Sequence, residues 1–252
     1  MNFATRSYRK ELLDGDDIPP ADIRLNMQEL DFINTYLGGH KITLNGFQSL
    51  LAEQNNPKQI IHVCEIGCGG GDNLFVIWKW CQKHSIQVKL TGIDINQDCI
   101  SVAKEKLQTA HAEFYVSDYS SVAFPNKPDI VFSSLFCHHF VEQDLIFMLN
   151  WMHQNTTTGF FINDLQRHPL AYYSIRLLTR FFSSSYLVKN DAPLSMLRGF
   201  RGEEWEKLLE ASCVLNYRVQ WKWAFRHLIT VSHKRSELKS QHVSQISRTG
   251  KS

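Results

Sequence analysis

The residues 63–74, VCEIGCGGGDNL, constrain this chain more than any other stretch. They end an apolar run and lead into an amphipathic segment, which predicts a buried strand, a tight glycine turn and the start of a helix. A turn without Cβ atoms lets a ligand approach the backbone, and the first amide N–H groups of the helix point at that ligand. We therefore expect a small ligand to bind at this turn.

The glycine spacing argues against a dinucleotide. The dinucleotide fingerprint G-x-G-x-x-G requires a glycine three places after its second glycine. Asp72 and Leu74 occupy that place in the two possible registers. A nicotinamide-dependent oxidoreductase therefore remains only an alternative, as does a nucleoside-binding protein without catalytic activity.

Length and composition narrow the class of protein. The 252 residues suit one large α/β domain, and a net charge of +2 gives no field that would attract nucleic acid or a membrane. No apolar run approaches the roughly 20 residues that span a bilayer. The first ten residues are polar and the six cysteines are scattered, so we expect free thiols and a cytoplasmic location.

Two acids follow predicted strands downstream of the glycine turn. Asp94 ends a strand at residues 88–95, roughly 20 residues after the glycines, where a βαβ unit places the acid that binds a ribose. A carboxylate suits that role because it can accept a hydrogen bond from each hydroxyl of a cis-diol. Asp118 ends a third strand. The alternative for both acids is structural, since an aspartate also caps helices and turns.

The remaining strands define the expected architecture. Residues 128–135 and 157–165 are predicted to be the fourth and fifth strands, and residues 214–222 and 223–232 an antiparallel hairpin that turns near residues 220–222. The pattern predicts an α/β fold with a doubly wound seven-stranded sheet and an antiparallel C-terminal hairpin. We expect a single domain over residues 1–232, with an N-terminal helical cap at 1–50 and a core at 51–232. The basic tail at 233–252 is predicted to be disordered.

A histidine pair follows the fourth strand. His138 or His139 at this place can act as a general base near neutral pH. Adjacent residues do not face the same way in a strand or a helix, so we expect at most one of them to be catalytic. The structural alternative is that both start the next helix and bond to backbone carbonyls. We expect no metal site from Cys137 and the histidines, because adjacent residues rarely converge on one ion.

A candidate acceptor pocket follows the fifth strand. The predicted helix at residues 170–182 is more apolar and aromatic than one buried face requires. We therefore place Tyr172 on a pocket wall, with Arg167 or His168 near its mouth and Asp164 at the strand end. Ordinary core packing is the alternative interpretation of this helix.

The pattern acid-x-Gly-x-Gly-x-Gly, carried by Glu65, Gly67, Gly69 and Gly71, resembles the first motif of class I S-adenosylmethionine-dependent methyltransferases. With the two acids and the closing hairpin, the resemblance covers about residues 55–232. The segments 37–40 and 163–172 look like those of a small-molecule branch similar to ubiquinone and menaquinone methyltransferases, including relatives encoded with polyketide and pigment pathways. The motif Asp/Asn-Pro-Pro-aromatic, which marks amino-group methyltransferases, is absent from the end of the fourth strand.

The resemblance implies a Rossmann-like methyltransferase fold, S-adenosylmethionine as cofactor and S-adenosylhomocysteine as product. It implies methyl transfer to a hydroxyl or an activated carbon of an aromatic, polyketide or quinol-like acceptor, accelerated mainly by alignment of the reactants. The expected partner is that small molecule, with no nucleic acid and no membrane, and the protein is expected to be a monomer or a homodimer. The implied cofactor residues are Glu65 at the amino group, Gly67, Gly69 and Gly71 along the methionine part, Asp94 at the ribose, Ile95, Asp118 and Tyr119 at the adenine, and Ser134 and Leu135 at the sulfonium.

Overall fold

A computed structural model describes residues 2–15, 17–53 and 60–234 of the chain. Seven strands in these ranges form one mixed sheet in the order β3-β2-β1-β4-β5-β7-β6. The strands are β1 (Ile60–Ile66), β2 (Gln87–Asp94), β3 (Glu113–Val116), β4 (Ile130–Ser134), β5 (Gly159–Leu165), β6 (Tyr217–Lys222) and β7 (Arg226–Ser232).

The sheet is parallel from β1 to β5, and β7 lies antiparallel to both β5 and β6. The chain reverses its direction of strand addition between β1 and β4, which leaves a crevice at the carboxyl ends of these strands. The sheet order and the closing hairpin confirm the predicted fold.

Helices cover both faces of the sheet, so β4 and β5 are buried along their whole length. Phe132 of β4 and Phe161 of β5 stack with their ring centroids 4.8 Å apart inside one apolar layer. The helices are α1 (Pro20–Tyr36), α2 (Gly39–Ala52), α3 (Asp72–Lys83), α4 (Gln97–Lys106), α5 (Glu142–Gln154), α6 (Pro169–Phe182), α7 (Tyr186–Arg198) and α8 (Gly202–Ala211).

The residues before α1 lie across the carboxyl ends of the strands. Arg6 anchors them: its Nε donates to the carbonyl of Arg198 at 3.0 Å, and its guanidinium lies 4.0 Å from the ring centroid of Phe200. Asp191 of α7 accepts hydrogen bonds from the backbone N–H groups of Leu12 and Leu13 at 2.8 and 3.0 Å. The start of the chain is thereby fixed above the crevice.

The N-terminal helices are not separate from the core. Phe47 of α2 is fully buried, and a Cβ added to Gly46 would lie 2.5 Å from the ring of Phe161. This close approach allows α2 to pack directly on β5. The predicted boundary between a cap at 1–50 and a core at 51–232 remains a prediction.

Several predicted elements have different bounds. Helix α7 is not predicted from the sequence, because Pro193 and a mixture of polar and apolar residues hide its period. The hairpin turns at residues 223–225, where Ala224 and Phe225 adopt φ values of 56° and 54°, and not near 220–222. Helix α2 begins at Gly39, after Gly38 in a left-handed conformation.

The predicted tail at 233–252 lies outside the described residues from 235 onward. None of the helices in the described part of the chain combines the length and the apolar character that crossing a bilayer requires.

Candidate functional site

A cavity of about 880 Å³ lies over the carboxyl ends of the parallel strands. Its wall comes from the glycine turn, the residues after β2, β3 and β4, the segment before α1, and the helices α1 and α7. It therefore occupies the place where the strand order reverses, which is where open α/β sheets bind ligands.

The glycine turn forms one wall. Gly67, Gly69 and Gly71 all adopt left-handed backbone conformations, with φ values of 66°, 49° and 75°. A Cβ on Gly69 would meet only the Met27 sulfur, at an ordinary contact distance of 3.4 Å, and Gly69 lines the cavity. Gly67 also lines the cavity.

Gly71 does not line the cavity. It is the N-cap residue of α3, and a Cβ there would lie 2.9 Å from Leu107 and 3.0 Å from Ala103. Its place in the motif is therefore explained by the packing of the turn on α4, and the structure gives no support for the predicted contact of Gly71 with the cofactor.

Glu65 presents an unsatisfied carboxyl group to the cavity. Its Oε1 accepts from the Asn73 side chain at 3.0 Å, whereas Oε2 is buried without a hydrogen-bond partner among the described residues. Burial raises the pKa of Glu65 well above its usual value. Asn26 of α1 likewise lines the cavity with a buried, unpartnered side-chain N–H₂ group. A ligand with an ammonium and a carboxylate would satisfy both groups.

Asp94 is held at the edge of the glycine turn. Its Oδ2 accepts from the backbone N–H of Gly69 at 2.8 Å and its Oδ1 from that of Asn96 at 2.9 Å. Burial raises the pKa of Asp94, although these hydrogen bonds oppose the rise. The neighbouring Ile95 is 74% exposed and lies on the same cavity wall. Asp94 and Ile95 together present two carboxylate oxygens and an exposed apolar side chain to a ligand.

Asp118 and Tyr119 line the cavity after β3. Asp118 caps a short turn by accepting from Ser120, at 2.8 Å from its N and 2.5 Å from its Oγ, as the structural alternative expects. Tyr119 packs edge-on against Trp151 at 5.2 Å. The second carboxylate oxygen of Asp118 is the one that remains for a ligand.

Ser134 and Leu135 line the cavity at the end of β4. Leu135 adopts a φ of 54°, which is unusual for a residue with a branched side chain. Its backbone N–H donates to the carbonyl of Asn163 at 2.9 Å, and this bond holds the strained residue in place.

The histidine pair meets two acids from the N-terminal segment. Residues Cys137–His139 form a tight 3-10 turn that brings the two imidazole rings to 4.5 Å. Nδ1 of His138 lies 2.7 Å from Asp164, and Nδ1 of His139 lies 3.0 Å from Asp14. The Nε2 atoms face opposite oxygens of Glu11, at 3.5 Å for His138 and 3.8 Å for His139.

Both histidines therefore line the cavity and face one carboxylate. The premise that adjacent histidines do not face the same way fails here, because the chain forms a tighter turn than a strand or an α-helix. That at most one of the two is catalytic remains a prediction. Glu11 and Asp14 are missed from the sequence altogether. They lie more than 120 residues before the histidines and stand in no motif.

Charge in this cluster is set by burial and by pairing. Burial favours the neutral form of His138, but Asp164 and Glu11 outweigh this effect and raise its pKa to about 9. Burial likewise tends to raise the pKa values of Asp164 and Glu11, and the nearby histidines hold both below their usual range. At neutral pH this pKa makes His138 an imidazolium between two carboxylates.

The same atoms are close enough to hold a metal ion. One ligand atom from each of Glu11, His138 and His139 falls within 4.8 Å of the others. The Glu11 carboxylate already accepts from Ser195 Oγ at 2.7 Å, and the Arg198 guanidinium lies 3.9 Å from it. Existing hydrogen bonds and a positive charge thus compete with an ion, and the predicted absence of a metal remains a prediction.

The four predicted substrate residues do not line the cavity. Arg167 is buried against α8, where it donates to Glu204 and to the Gly199 carbonyl, both at 2.6 Å. His168 caps α6 and stacks on Phe225, and Tyr172 packs against Phe3 at 5.7 Å. Asp164 reaches the site only through His138.

The acceptor side of the cavity has a different wall. Helix α6 contributes Ile175, while most of its other large apolar residues, such as Phe181 and Phe182, are exposed. The predicted pocket wall on α6 is therefore largely wrong, because that helix turns most of its aromatic surface outward. The apolar residues that line this side and pack in one cluster are Ile33, Leu37, Leu135, Leu165, Ile175, Ala192 and Met196.

Comparison with protein families agrees with this geometry. A family model described as a methyltransferase domain matches residues 63–159, which run from β1 to the start of β5. The matched segment contains the glycine turn, Asp94, Asp118 and the histidine pair.

Solved structures share the fold at low sequence identity. The plantazolicin methyltransferase BamL, in complex with a triazolic analog and S-adenosylhomocysteine, is 18% identical with a TM-score of 0.60, over 85% of this chain and 91% of that chain. The magnesium protoporphyrin IX methyltransferase of Synechocystis, with bound S-adenosylmethionine, is 13% identical with a TM-score of 0.53, over 88% of each chain. An O-methyltransferase family 2 protein of Planctomyces limnophilus, in complex with apigenin, is 14% identical with a TM-score of 0.60, and the alignment spans 88% of this chain but 63% of that longer protein.

Proposed function

We propose that the chain is an S-adenosylmethionine-dependent methyltransferase and that it methylates an acidic hydroxyl group of a small, largely apolar acceptor; the methyltransferase family model and the sheet order support this proposal. The observation that carries the proposal is the pair of Glu11 and His138, which borders the same cavity as the glycine turn, with Asp164 holding His138 from behind. The alternative acceptor atom is an activated carbon, from which the same base would remove a proton.

The buried polar groups of the cavity that have no hydrogen-bond partner among the described residues fit the cofactor. The unpartnered Oε2 of Glu65 suits its ammonium group, and the unpartnered amide of Asn26 suits its carboxylate. Asp94 would accept from the ribose hydroxyls, with Ile95, Asp118 and Tyr119 around the adenine and Ser134 and Leu135 near the sulfonium. When bound, S-adenosylmethionine supplies an electrophilic methyl group.

The chain itself supplies the proton acceptor. Asp164 accepts a hydrogen bond from Nδ1–H of His138 and so directs Nε2 toward the cavity and Glu11. The hydroxyl proton of the acceptor moves to Nε2 of a neutral His138, and Glu11 then stabilises the imidazolium that results. His139, held by Asp14, is the second candidate for this role.

The pKa of His138 favours one class of hydroxyl. Proton transfer is efficient when donor and acceptor pKa values are close, and a phenol titrates near 10, as tyrosine does, while water is far less acidic. The pKa of about 9 for His138 therefore matches a phenol or an enol better than an alcohol. The apolar wall and the apigenin bound to the Planctomyces limnophilus protein support an aromatic acceptor.

Calorimetric titration with S-adenosylhomocysteine and with NAD tests the cofactor. We expect micromolar binding of the former and none of the latter, and a preference for NAD would overturn the proposal. Methyl transfer from labelled S-adenosylmethionine to a panel of phenols and quinols then tests the reaction, with mass spectrometry to tell O-methyl from C-methyl products. Bound cofactor without transfer to any of them would favour a nucleoside-binding protein.

A matched pair of variants links the reaction to the cluster. His138→Gln removes the base, and His84→Gln changes an exposed histidine at the end of α3, outside the cavity. We expect transfer to fall at least 100-fold in the first variant and to stay unchanged in the second. Equal activity of the two variants would exclude His138 as the base. The cytoplasmic location and the oligomeric state remain predictions.

A further inference from the structure

Arg226 places a buried positive charge on the wall of the cavity, away from the glycine turn. Its side chain is 3% exposed and borders the cavity beside Asn34, Leu37 and Ala224. One terminal nitrogen donates to Asn34 Oδ1 at 2.8 Å. The Nε and the other terminal nitrogen have no hydrogen-bond partner in the described ranges.

No carboxylate of the described residues forms an ion pair with Arg226. The acid that influences it most is Asp164, which is fully buried but already committed. Its Oδ1 accepts from His138 Nδ1 and from the Leu165 N–H, both at 2.7 Å, and its Oδ2 accepts from the His138 N–H at 3.2 Å. Asp164 therefore compensates the desolvation of the guanidinium only in part, and burial lowers the pKa of Arg226 to about 10.

The surroundings of Arg226 disfavour a cation further. A Cβ on Gly39, the first residue of α2, would lie 3.1 Å from the Arg226 Cζ, so the guanidinium packs against the helix N-terminus. The positive end of a helix dipole repels a cation and attracts an anion. An unpaired charge at such a place is destabilising unless a ligand pairs with it.

The cofactor's own carboxylate does not explain Arg226. Residues of the glycine turn follow β1, and β7, which begins at Arg226, lies three strands away in the order β1-β4-β5-β7. Three strand spacings amount to roughly 14 Å. Asn26, on the glycine-turn side of the cavity, already offers an unpartnered donor for that carboxylate. The Arg226 end of the cavity therefore belongs to the acceptor.

We propose that Arg226, together with Asn34, binds an anionic oxygen group of the acceptor, most simply a carboxylate. Arginine suits this role because its planar N–H groups match the two oxygens of a carboxylate. This inference rests on the proposed methyl transfer and narrows its substrate class. The acceptor is a largely apolar acid whose carboxylate lies at Arg226, while its hydroxyl lies at the histidine cluster.

Two probes of the same shape test the inference. 2-Naphthoate and its neutral counterpart 2-naphthamide are titrated into the full chain saturated with S-adenosylhomocysteine. We expect the wild type to bind the naphthoate at least tenfold more tightly than the amide, because only the naphthoate pairs with the buried cation. Equal affinity of the wild type for the two probes overturns the inference. The proposed function still stands in that case, provided that the protein binds S-adenosylhomocysteine.

Variants separate a ligand role from a structural one. Arg226→Met keeps the size of the side chain and removes the charge, so we expect it to lose the preference for naphthoate. Ligand-free, it should melt at a higher temperature than the wild type. Arg226→Lys should retain a part of the preference. Arg180→Met, which removes an exposed charge from α6, should change neither property. A naphthoate preference that survives in Arg226→Met would also overturn the inference.

Discussion

The two ends of the cavity are built in different ways. The centre of the cofactor end comes from one βαβ unit, in which Glu65, Gly69 and Asp94 lie within about thirty positions and a 2.8 Å bond joins Gly69 to Asp94. The residues after β3 and β4 and Asn26 of α1 complete this end. The acceptor end combines Glu11, His138, Asp164 and Arg226, which come from four distant parts of the chain. Local sequence therefore specifies the first end, whereas only the complete fold specifies the second.

This difference predicts that the two ends can be disabled separately. Asp94→Ala removes the acceptor of the Gly69 and Asn96 N–H bonds together with the predicted ribose contact. Hydrogen bonds to a charged group contribute about 1.5–3 kcal/mol each, so we expect affinity for S-adenosylhomocysteine to fall at least 100-fold by calorimetry. Glu105→Ala, in an exposed ion pair with Arg24, is the control that should bind normally. Normal binding by Asp94→Ala would mean that the cofactor end is not where we place it.

The reverse separation is expected from Glu11→Gln. The amide keeps the Ser195 hydroxyl as a neighbour but no longer offers a negative charge to His138 and His139. Methyl transfer should fall about 10- to 100-fold, less than the roughly 100- to 10,000-fold contribution of a general base, because Glu11 only stabilises the protonated base. Affinity for S-adenosylhomocysteine should stay within twofold. A parallel loss of both properties would show that residues 2–15 support the whole site and not its acceptor end alone.

The acceptor end should also give the protein its pH dependence. The folded pKa of His138, about 9, lies above its ordinary value of 6.5, so its stabilising effect is complete below pH 6.5 and is lost as pH rises through about 9. The free energy of unfolding should therefore fall by up to about 3 kcal/mol between pH 6 and pH 10. Denaturant titrations of the wild type and of His138→Gln measure this, and the variant should lack most of the slope. Methyl transfer should rise over the same interval, because the base must be neutral, and a flat rate profile would contradict His138 as the base.

Gly69 and Gly71 belong to one motif, but we expect Gly69 to contact the ligand and Gly71 to serve the packing of the turn. Gly69→Ala adds a methyl group to the cavity, so we expect weaker binding of S-adenosylhomocysteine and a modest loss of stability of about 1–2 kcal/mol from the left-handed backbone. Gly71→Ala places its methyl group against Leu107 and Ala103, so we expect a larger loss, about 2–4 kcal/mol, from strain and overpacking. Thermal melts and calorimetry on both variants check the order of these effects. The opposite order would mean that Gly71 contacts the ligand.

The same contrast explains what the sequence could predict. The strand order, the glycine turn and the positions of Asp94 and Asp118 follow from local patterns, since a βαβ unit places them at fixed spacings. The acceptor end depends on which distant segments meet. Nothing near Glu11 indicates that it faces His138, and Arg226 opens an ordinary strand beside β5. The error at Arg167 has a similar cause, because its partner Glu204 belongs to α8, which sequence proximity does not reveal.

A substitution of Arg167 is therefore expected to have the smallest effect on activity. Arg167→Lys keeps the positive charge but loses the paired bonds to both Glu204 oxygens, at 2.6 and 3.1 Å, and the bond to the Gly199 carbonyl. We expect a loss of about 1–3 kcal/mol in the free energy of unfolding, with the KM for the acceptor changed by less than twofold. The Arg167 side chain is held beneath α8 and does not border the cavity, so its loss should not reach the acceptor. A KM that rises tenfold with unchanged stability would restore Arg167 as a substrate residue and would place the acceptor nearer to α8 than to Arg226.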